Sequence, residues 1–191
     1  MKLIFATHNP NKLKEIKAMM PGFIKLGSLD DINCTEDIAE TADTIAGNAQ
    51  IKADYVFENY KVACFADDTG LEVDALQGEP GVHSARYAGE DKNDTANMQK
   101  LLRELDGKNN RKAQFKTVIA LKSKDRIRLF EGICPGAITQ EKSGEKGFGY
   151  DPIFKPDGFE QTFAQMNQQQ KAEISHRGIA FRKLIEFLKK A

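Results

Sequence analysis

The feature that most restricts this chain is an apolar run that ends in two adjacent acids, Phe65-Ala66-Asp67-Asp68-Thr69-Gly70-Leu71. Residues 62–66 read as a buried strand. The end of a strand is where an α/β fold presents its chemistry. Neighbouring carboxylates there are costly unless a cation lies beside them. A hard divalent ion such as Mg²⁺, which takes oxygen ligands and shares them with phosphates, is one candidate. A plain turn is the other, because Asp-Asp-Thr-Gly is good turn composition. The stretch alone leaves the two readings even.

Length bounds the rest. The chain has 191 residues, enough for one well-buried domain or one domain with two lobes. Lys+Arg and Asp+Glu both number 28. Zero net charge argues against a general nucleic-acid binder or a membrane-surface protein, which would carry a basic excess. Cys34, Cys64 and Cys134 are far apart and form no CxxC, so neither a disulfide framework nor a zinc site is expected, and a reducing cytoplasm fits. The apolar run after Lys2 stops at His8, so no signal peptide is expected, and no segment approaches transmembrane length.

Three further stretches carry potential chemistry. Residues 3–6 read as a first strand, followed by Thr7-His8-Asn9-Pro10-Asn11-Lys12 and a helix with Leu13, Ile16 and Met20 on one face. Asn9 or Asn11 can cap that helix and Pro10 suits its start. A strand–loop–helix junction of this kind suits a phosphate. Lys12 opposes the helix dipole, which hints at a nearby anion, although a solvated surface lysine is the simpler reading. Residues 44–60 form the clearest helix, with an apolar stripe through Ile45, Ala49, Ala53, Val56 and Tyr60 and a polar stripe of Thr44, Asn48 and Lys52. That polar stripe either faces water or lines a cleft. The third stretch, Gly147-Phe148-Gly149-Tyr150-Asp151-Pro152, sets aromatics among glycines, where the backbone can approach a ligand and a ring can stack on a base.

The remaining elements follow from pattern. Residues 23–26 and 71–76 read as strands, and residues 28–43 as an irregular acidic segment. Residues 93–105 form an amphipathic helix. Residues 113–121 and 126–133 are strands joined at Ser123-Lys124-Asp125, with Cys134-Pro135-Gly136 breaking the second and residues 137–139 resuming it. Residues 162–170 are expected to form a short helix. Lys171, His176 and Arg177 then supply donors near the start of the last helix, or merely decorate the surface.

Taken in order, Thr7-His8-Asn9-Pro10-Asn11-Lys12, Glu40-Thr41, Asn48-Ala49 with Lys52, Ala66-Asp67-Asp68-Thr69-Gly70-Leu71, Ser84-Ala85-Arg86-Tyr87, Phe148-Gly149-Tyr150-Asp151-Pro152 and Ser175-His176-Arg177 closely resemble the inosine/xanthosine triphosphate pyrophosphatase family. The resemblance runs from residue 6 to about the last helix. Departures are small: His8 and Ala42 stand where the family often has glycine, and Thr69 where it often has serine.

The resemblance implies one α/β domain over residues 1–191, with a long central mixed sheet and two lobes flanking a deep nucleotide cleft. It implies a Mg²⁺-dependent cytoplasmic homodimer that converts dITP, ITP and XTP to the monophosphate and pyrophosphate. By the same resemblance, residues Thr7, His8, Asn9, Pro10, Asn11 and Lys12 hold the triphosphate, with Thr69 also on the substrate. Asp68 accepts the proton of the attacking water, Lys52 steadies the acids or the departing pyrophosphate, and Glu40 and Asp68 hold the metal. Phe148 stacks on the base, Gly149, Tyr150 and Asp151 shape that wall, and Lys171, His176 and Arg177 donate to it. A 6-oxo purine accepts from such donors, whereas adenine presents an amino group. Two rivals remain: a nucleotide pyrophosphatase of different base preference, and a nucleotide-binding module without catalysis.

Overall fold

The computed structural model describes residues 1–124 and 126–190. The chain forms two compact units. The first takes Met1–Asp68, Thr117–Gly132 and the segment from Arg177 on; the second takes Thr69–Lys116 and Ile133–His176. Each has its own hydrophobic core. Leu3, Phe5, Ile16, Phe65, Ile119 and Phe181 lie in the first core. Leu71, Leu101, Phe115, Ile153, Phe154 and Phe163 lie in the second.

Among the described residues seven strands form one mixed sheet in an α/β arrangement, as expected. They are β1 (Lys2–Phe5), β2 (Lys25–Gly27), β3 (Cys64–Val73), β4 (Pro80–Gly81), β5 (Lys112–Ser123), β6 (Arg126–Ile138) and β7 (Phe154–Pro156). The order is β2-β1-β3-β5-β6-β7, with β4 paired to β3. β1 runs parallel to β2 and β3, whereas β4 on β3 and β7 on β6 are antiparallel. The helices are α1 (Pro10–Met19), α2 (Ile45–Tyr60), α3 (Asp94–Glu104), α4 (Gln168–Ile174) and α5 (His176–Leu188).

Local signals account for the first helices. Asn9 caps α1, its side chain accepting from the Asn11 and Lys12 amides, and Pro10 takes the first helical position. Thr44 caps α2 through the Gly47 amide. Between β1 and β3 the Phe5 and Phe65 rings stack at 4.6 Å, which fixes the register of the strand carrying the two acids.

Three expectations need correction. The two acids do not end a strand; β3 runs through them from Cys64 to Val73 and absorbs the separate strand expected at 71–76. Nor does Cys134-Pro135-Gly136 break β6, because the far end of that strand pairs with β7 at Gly136 and Ile138. The helix expected at 162–170 is instead a short 3-10 turn, Phe163–Gln165, followed by α4. Asn167 explains the division: it accepts from the Gln170 amide, while the Gln170 side chain accepts from the Asn167 amide, a reciprocal cap that starts a new helix. β5 and β6 are neighbours as the hairpin reading expects; of its turn residues, Asp125 lies outside the described residues.

Candidate active site

Successive residues of a strand point to opposite faces, so Asp67 and Asp68 enter different surroundings. In the first unit, Asp67 is fully buried and accepts from two cations. Lys12 Nζ lies 3.0 Å from Oδ1 and Arg177 Nε lies 3.1 Å from Oδ2. Arg177 also reaches Glu15 on α1, NH1 to Oε2, at 2.6 Å. The result is a chain of ion pairs, Glu15–Arg177–Asp67–Lys12. Burial alone would raise the Asp67 pKa, but Lys12 and Arg177 outweigh it and hold the carboxyl well below its ordinary 3.8. Burial keeps the Lys12 ammonium below its usual range, against the pull of Asp67. Burial likewise disfavours the Arg177 charge, yet Glu15 and Asp67 secure it and raise its pKa. The anion that the position of Lys12 hints at is therefore present within the protein itself.

Asp68 is treated differently. Its Oδ1 accepts from Lys52 Nζ at 3.3 Å, and the same ammonium reaches Glu40 Oε1 at 2.5 Å. Burial raises the Asp68 pKa above 3.8, with Lys52 and Lys12 opposing. For Lys52, burial works against the charge, but Asp68 and Glu40 prevail and its pKa is raised. Asp68 Oδ2 is buried without a hydrogen-bond partner among the described residues. One carboxylate is thus saturated by cations and the other keeps an open acceptor, with its proton affinity tuned upward. Asn48, on the polar stripe of α2, fixes the Glu40 segment by accepting from the Ala42 amide at 2.9 Å. Asn48 and Lys52 of that stripe are both buried, and only its Thr44 end is exposed.

An ion site would have to be built from these acids. Among the described residues no three His, Cys, Asp or Glu side chains gather as a protein-only metal cage requires. An open carboxylate oxygen on Asp68, with Glu40 sharing its lysine, nevertheless fits a magnesium-type ion, which draws most of its shell from water and phosphate.

The loop before α1 is tied down by its own side chains. Thr7 Oγ1 accepts from the Asn9 amide at 3.1 Å, and His8 Nε2 lies 2.9 Å from the Glu36 carbonyl. A carbonyl only accepts, so Nε2 carries the proton in this contact.

The second unit assembles the aromatic loop. Gly147 and Gly149 take φ of +78° and +61°, and a Cβ at Gly147 would overlap the Asp151 carboxylate. Asp151 Oδ2 accepts from the Phe148 amide at 2.9 Å and from Lys171 Nζ at 2.6 Å. Lys171 Nζ also lies 5.0 Å from the centre of the Phe148 ring, within cation–π range. Tyr150 is buried and donates to the Ser84 carbonyl at 2.8 Å; burial raises its pKa. His176 stacks on Phe115 at 4.5 Å. Phe154 is a core residue.

The His176-Arg177 pair is therefore not surface decoration: both are buried, His176 on the aromatic core of the second unit and Arg177 on the acids of the first. Thr69 begins the second unit as a half-buried strand residue. Sequence reasoning missed Glu15 and Asp94. Glu15 stands three residues after Lys12, on the same helix face, and that spacing was its only signal. Asp94 accepts from the Gly149 amide at 2.7 Å across 55 residues, and nothing local announces it.

The chain is similar to known proteins over its whole length. A protein of Christiangramia forsetii named dITP/XTP pyrophosphatase is 63% identical over 190 residues, covering all of both chains. One of the same name from Flavobacterium psychrophilum is 59% identical over 189 residues, covering 99% of this chain and all of its own. The solved structure of the Staphylococcus aureus Ham1 protein superposes with a TM-score of 0.91 at 39% identity, covering 100% of this chain and 99% of that one. The sequence pattern of the Ham1 family matches residues 3–187. With likeness of sequence and of fold both running end to end, this chain belongs to the Ham1 family.

Proposed function

We propose that the protein hydrolyses the non-standard purine nucleoside triphosphates dITP, ITP and XTP to the nucleoside monophosphate and pyrophosphate. The observation that carries the reading is Asp68, a buried carboxylate with raised proton affinity and an open oxygen, set beside a carboxylate–lysine pair. Raised affinity makes a carboxylate a better general base near neutral pH. The names of the full-length relatives support the substrate class.

In this reading Asp68 takes a proton from water as the water oxygen bonds to the α-phosphorus. The bond from that phosphorus to the bridging oxygen breaks, and pyrophosphate leaves. Lys52 holds Asp68 and Glu40 in place and keeps the carboxylates charged. Glu40 and Asp68 would hold Mg²⁺, which when bound neutralises charge on the phosphate oxygens. Lys12 and the loop Thr7, His8, Asn9, Pro10 and Asn11 hold phosphate, with Thr69 adding a hydroxyl. Phe148 stacks on the base. Gly149, Tyr150 and Asp151 fix that ring, Lys171 adds a positive charge beside it, and His176 and Arg177 donate to the 6-oxygen. Residues 1–191 act as one functional domain, since neither unit is a continuous piece of chain.

Homodimer formation and a cytoplasmic location belong to the same proposal. All three cysteines are unpaired and buried, in keeping with a reducing compartment. No helix among the described residues is long and apolar enough to cross a membrane.

Pyrophosphate release from ITP, XTP, dITP, ATP and GTP, with Mg²⁺ and then with EDTA, tests the reading. Metal-dependent release from the first three alone is expected. Equal release from all five would discard base reading by His176 and Arg177. No release from any, with tight ITP binding, would make the chain a binding module.

A further inference from the structure

We propose that Asp94 is a positioning residue that sets the Gly147–Asp151 loop, and with it the ring of Phe148, and so controls selection of the purine base. The inference rests on the proposed reading of that loop as the base wall.

The loop is held by side-chain ties at several points. Its glycines at positive φ leave the backbone free in the absence of ties. Two consecutive amides are held by carboxylates from different places. The Phe148 amide goes to Asp151 within the loop, and the Gly149 amide goes to Asp94 on α3. The first tie closes a local turn whose carboxylate is itself held by Lys171 on α4, and the second fastens the backbone of the turn to α3. At 2.7 Å, Gly149 to Asp94 is a short, charge-assisted hydrogen bond. Together with the bond from Tyr150 to the Ser84 carbonyl, it anchors the chain immediately after Phe148.

The platform that carries Asp94 is rigid. Met98, Leu101 and Leu105 bury one face of α3 and its end in the core of the second unit. Asn97 clamps the helix to the neighbouring segment, accepting from the Ala88 amide at 2.7 Å and donating to the Ala85 carbonyl at 2.9 Å. The helix needs no cap from Asp94, because Asn93 caps it through the Ala96 amide. Asp94 still gains from the helix dipole in the first turn, so a test must separate that contribution from the hold on the loop.

Asp94→Ala removes the acceptor, while Asp94→Asn keeps an acceptor oxygen but loses the charge. Two readouts serve. Hydrogen exchange at the Gly149 amide, measured without nucleotide, reports the tie directly. Steady-state constants for ITP and ATP report its effect on base choice. We expect faster exchange at Gly149 in Asp94→Ala and a rise in KM for ITP of about fivefold to tenfold, below the full value of a charge-assisted hydrogen bond because this one is exposed to solvent. With kcat nearly unchanged, the ITP-to-ATP preference falls, and Asp94→Asn recovers most of both effects.

Unchanged exchange in Asp94→Ala overturns the hold. Faster exchange with unaltered KM and preference overturns the step from loop to base. Failure of Asp94→Asn to recover either quantity assigns the effect to the helix dipole and overturns the proposal as well. If the wild-type protein releases no pyrophosphate from any nucleotide, the proposed function fails by itself. Exchange at Gly149, with ITP binding in place of turnover, then still decides the role of Asp94.

Discussion

The first unit concentrates charge and the second concentrates shape. In the first, Asp67, Asp68, Glu15 and Glu40 are interleaved with Lys12, Lys52 and Arg177. In the second, Phe148, Tyr150, His176 and their aromatic neighbours are ordered around the ion pair of Lys171 with Asp151. Phosphoryl transfer has little covalent work for a protein to do and depends on positioned charge, which is the resource of the first group. Telling one purine from another needs a fixed wall and a few donors, which is the resource of the second. Substitutions in the first group should therefore strike turnover or stability, and those in the second should strike affinity and preference.

The largest effect is expected from Asp68→Asn. It removes the proton acceptor and preserves the shape, so turnover of ITP should fall about a thousandfold, within the usual span for a lost general base. Stability should hold or rise, because an amide avoids the cost of burying a charge whose pKa burial has already raised. Near-wild-type pyrophosphate release from this variant would remove Asp68 from the chemistry. In the intact protein, turnover should decline as pH falls through the raised Asp68 pKa, since the protonated acid cannot accept.

The neighbouring change, Asp67→Asn, should fail in the opposite sense. It leaves Lys12 and Arg177 without the carboxylate they share, and uncompensated buried charge of that kind costs about 3–5 kcal/mol. Urea unfolding would show it as a large drop in midpoint. The pH dependence has a definite sign. The Asp67 pKa is depressed in the folded state, so its stabilising contribution is complete above the ordinary 3.8 and is lost as pH falls toward the lowered value. Equal stability losses from Asp67→Asn and Asp68→Asn would erase the distinction between the two acids.

That distinction also marks how far the sequence could be read. Where a signal is local it was legible: Asn9 and Pro10 start α1, Thr44 starts α2, and the stripe through Ile45, Ala49 and Ala53 is buried. The acids of β3 were misplaced at a strand end because Asp-Asp-Thr-Gly has turn composition. What accommodates them inside the strand is Lys12 and Arg177 at Asp67, the latter 110 residues away, and Lys52 at Asp68. Their motifs were visible, but not the division of labour between them, which follows from strand alternation and from which cation each face meets. Asp94 could not be found at all, since its only telling contact is with a backbone amide of a distant loop.

Arg177 sharpens the comparison, because its contacts put it with the acids while its expected role is with the base. Arg177→Ala should narrow the preference for ITP over ATP, read as the ratio of kcat/KM values. It should also destabilise, because Asp67 and Glu15 each lose a partner. A loss of stability with an unchanged ratio would make Arg177 a clamp on Asp67 and leave base reading to His176 and Lys171.

The smallest effect expected is at His8, an exposed side chain that bonds the Glu36 carbonyl beside the phosphate loop. A neutral hydrogen bond contributes about 0.5–1.5 kcal/mol, and solvent competes for an exposed one. His8→Gly should thus raise KM for ITP only about twofold to threefold and leave kcat intact. Glycine also loosens the backbone, so His8→Ala is the necessary companion. If Ala and Gly behave alike, the lost side-chain bond is responsible; if only Gly weakens binding, backbone freedom is. In both cases a residue of the charged unit would act on affinity alone, showing that unit to contain ties as well as chemistry. A fall in kcat matching that of Asp68→Asn would break the division outright, because it would place an exposed hydrogen bond on the reaction path.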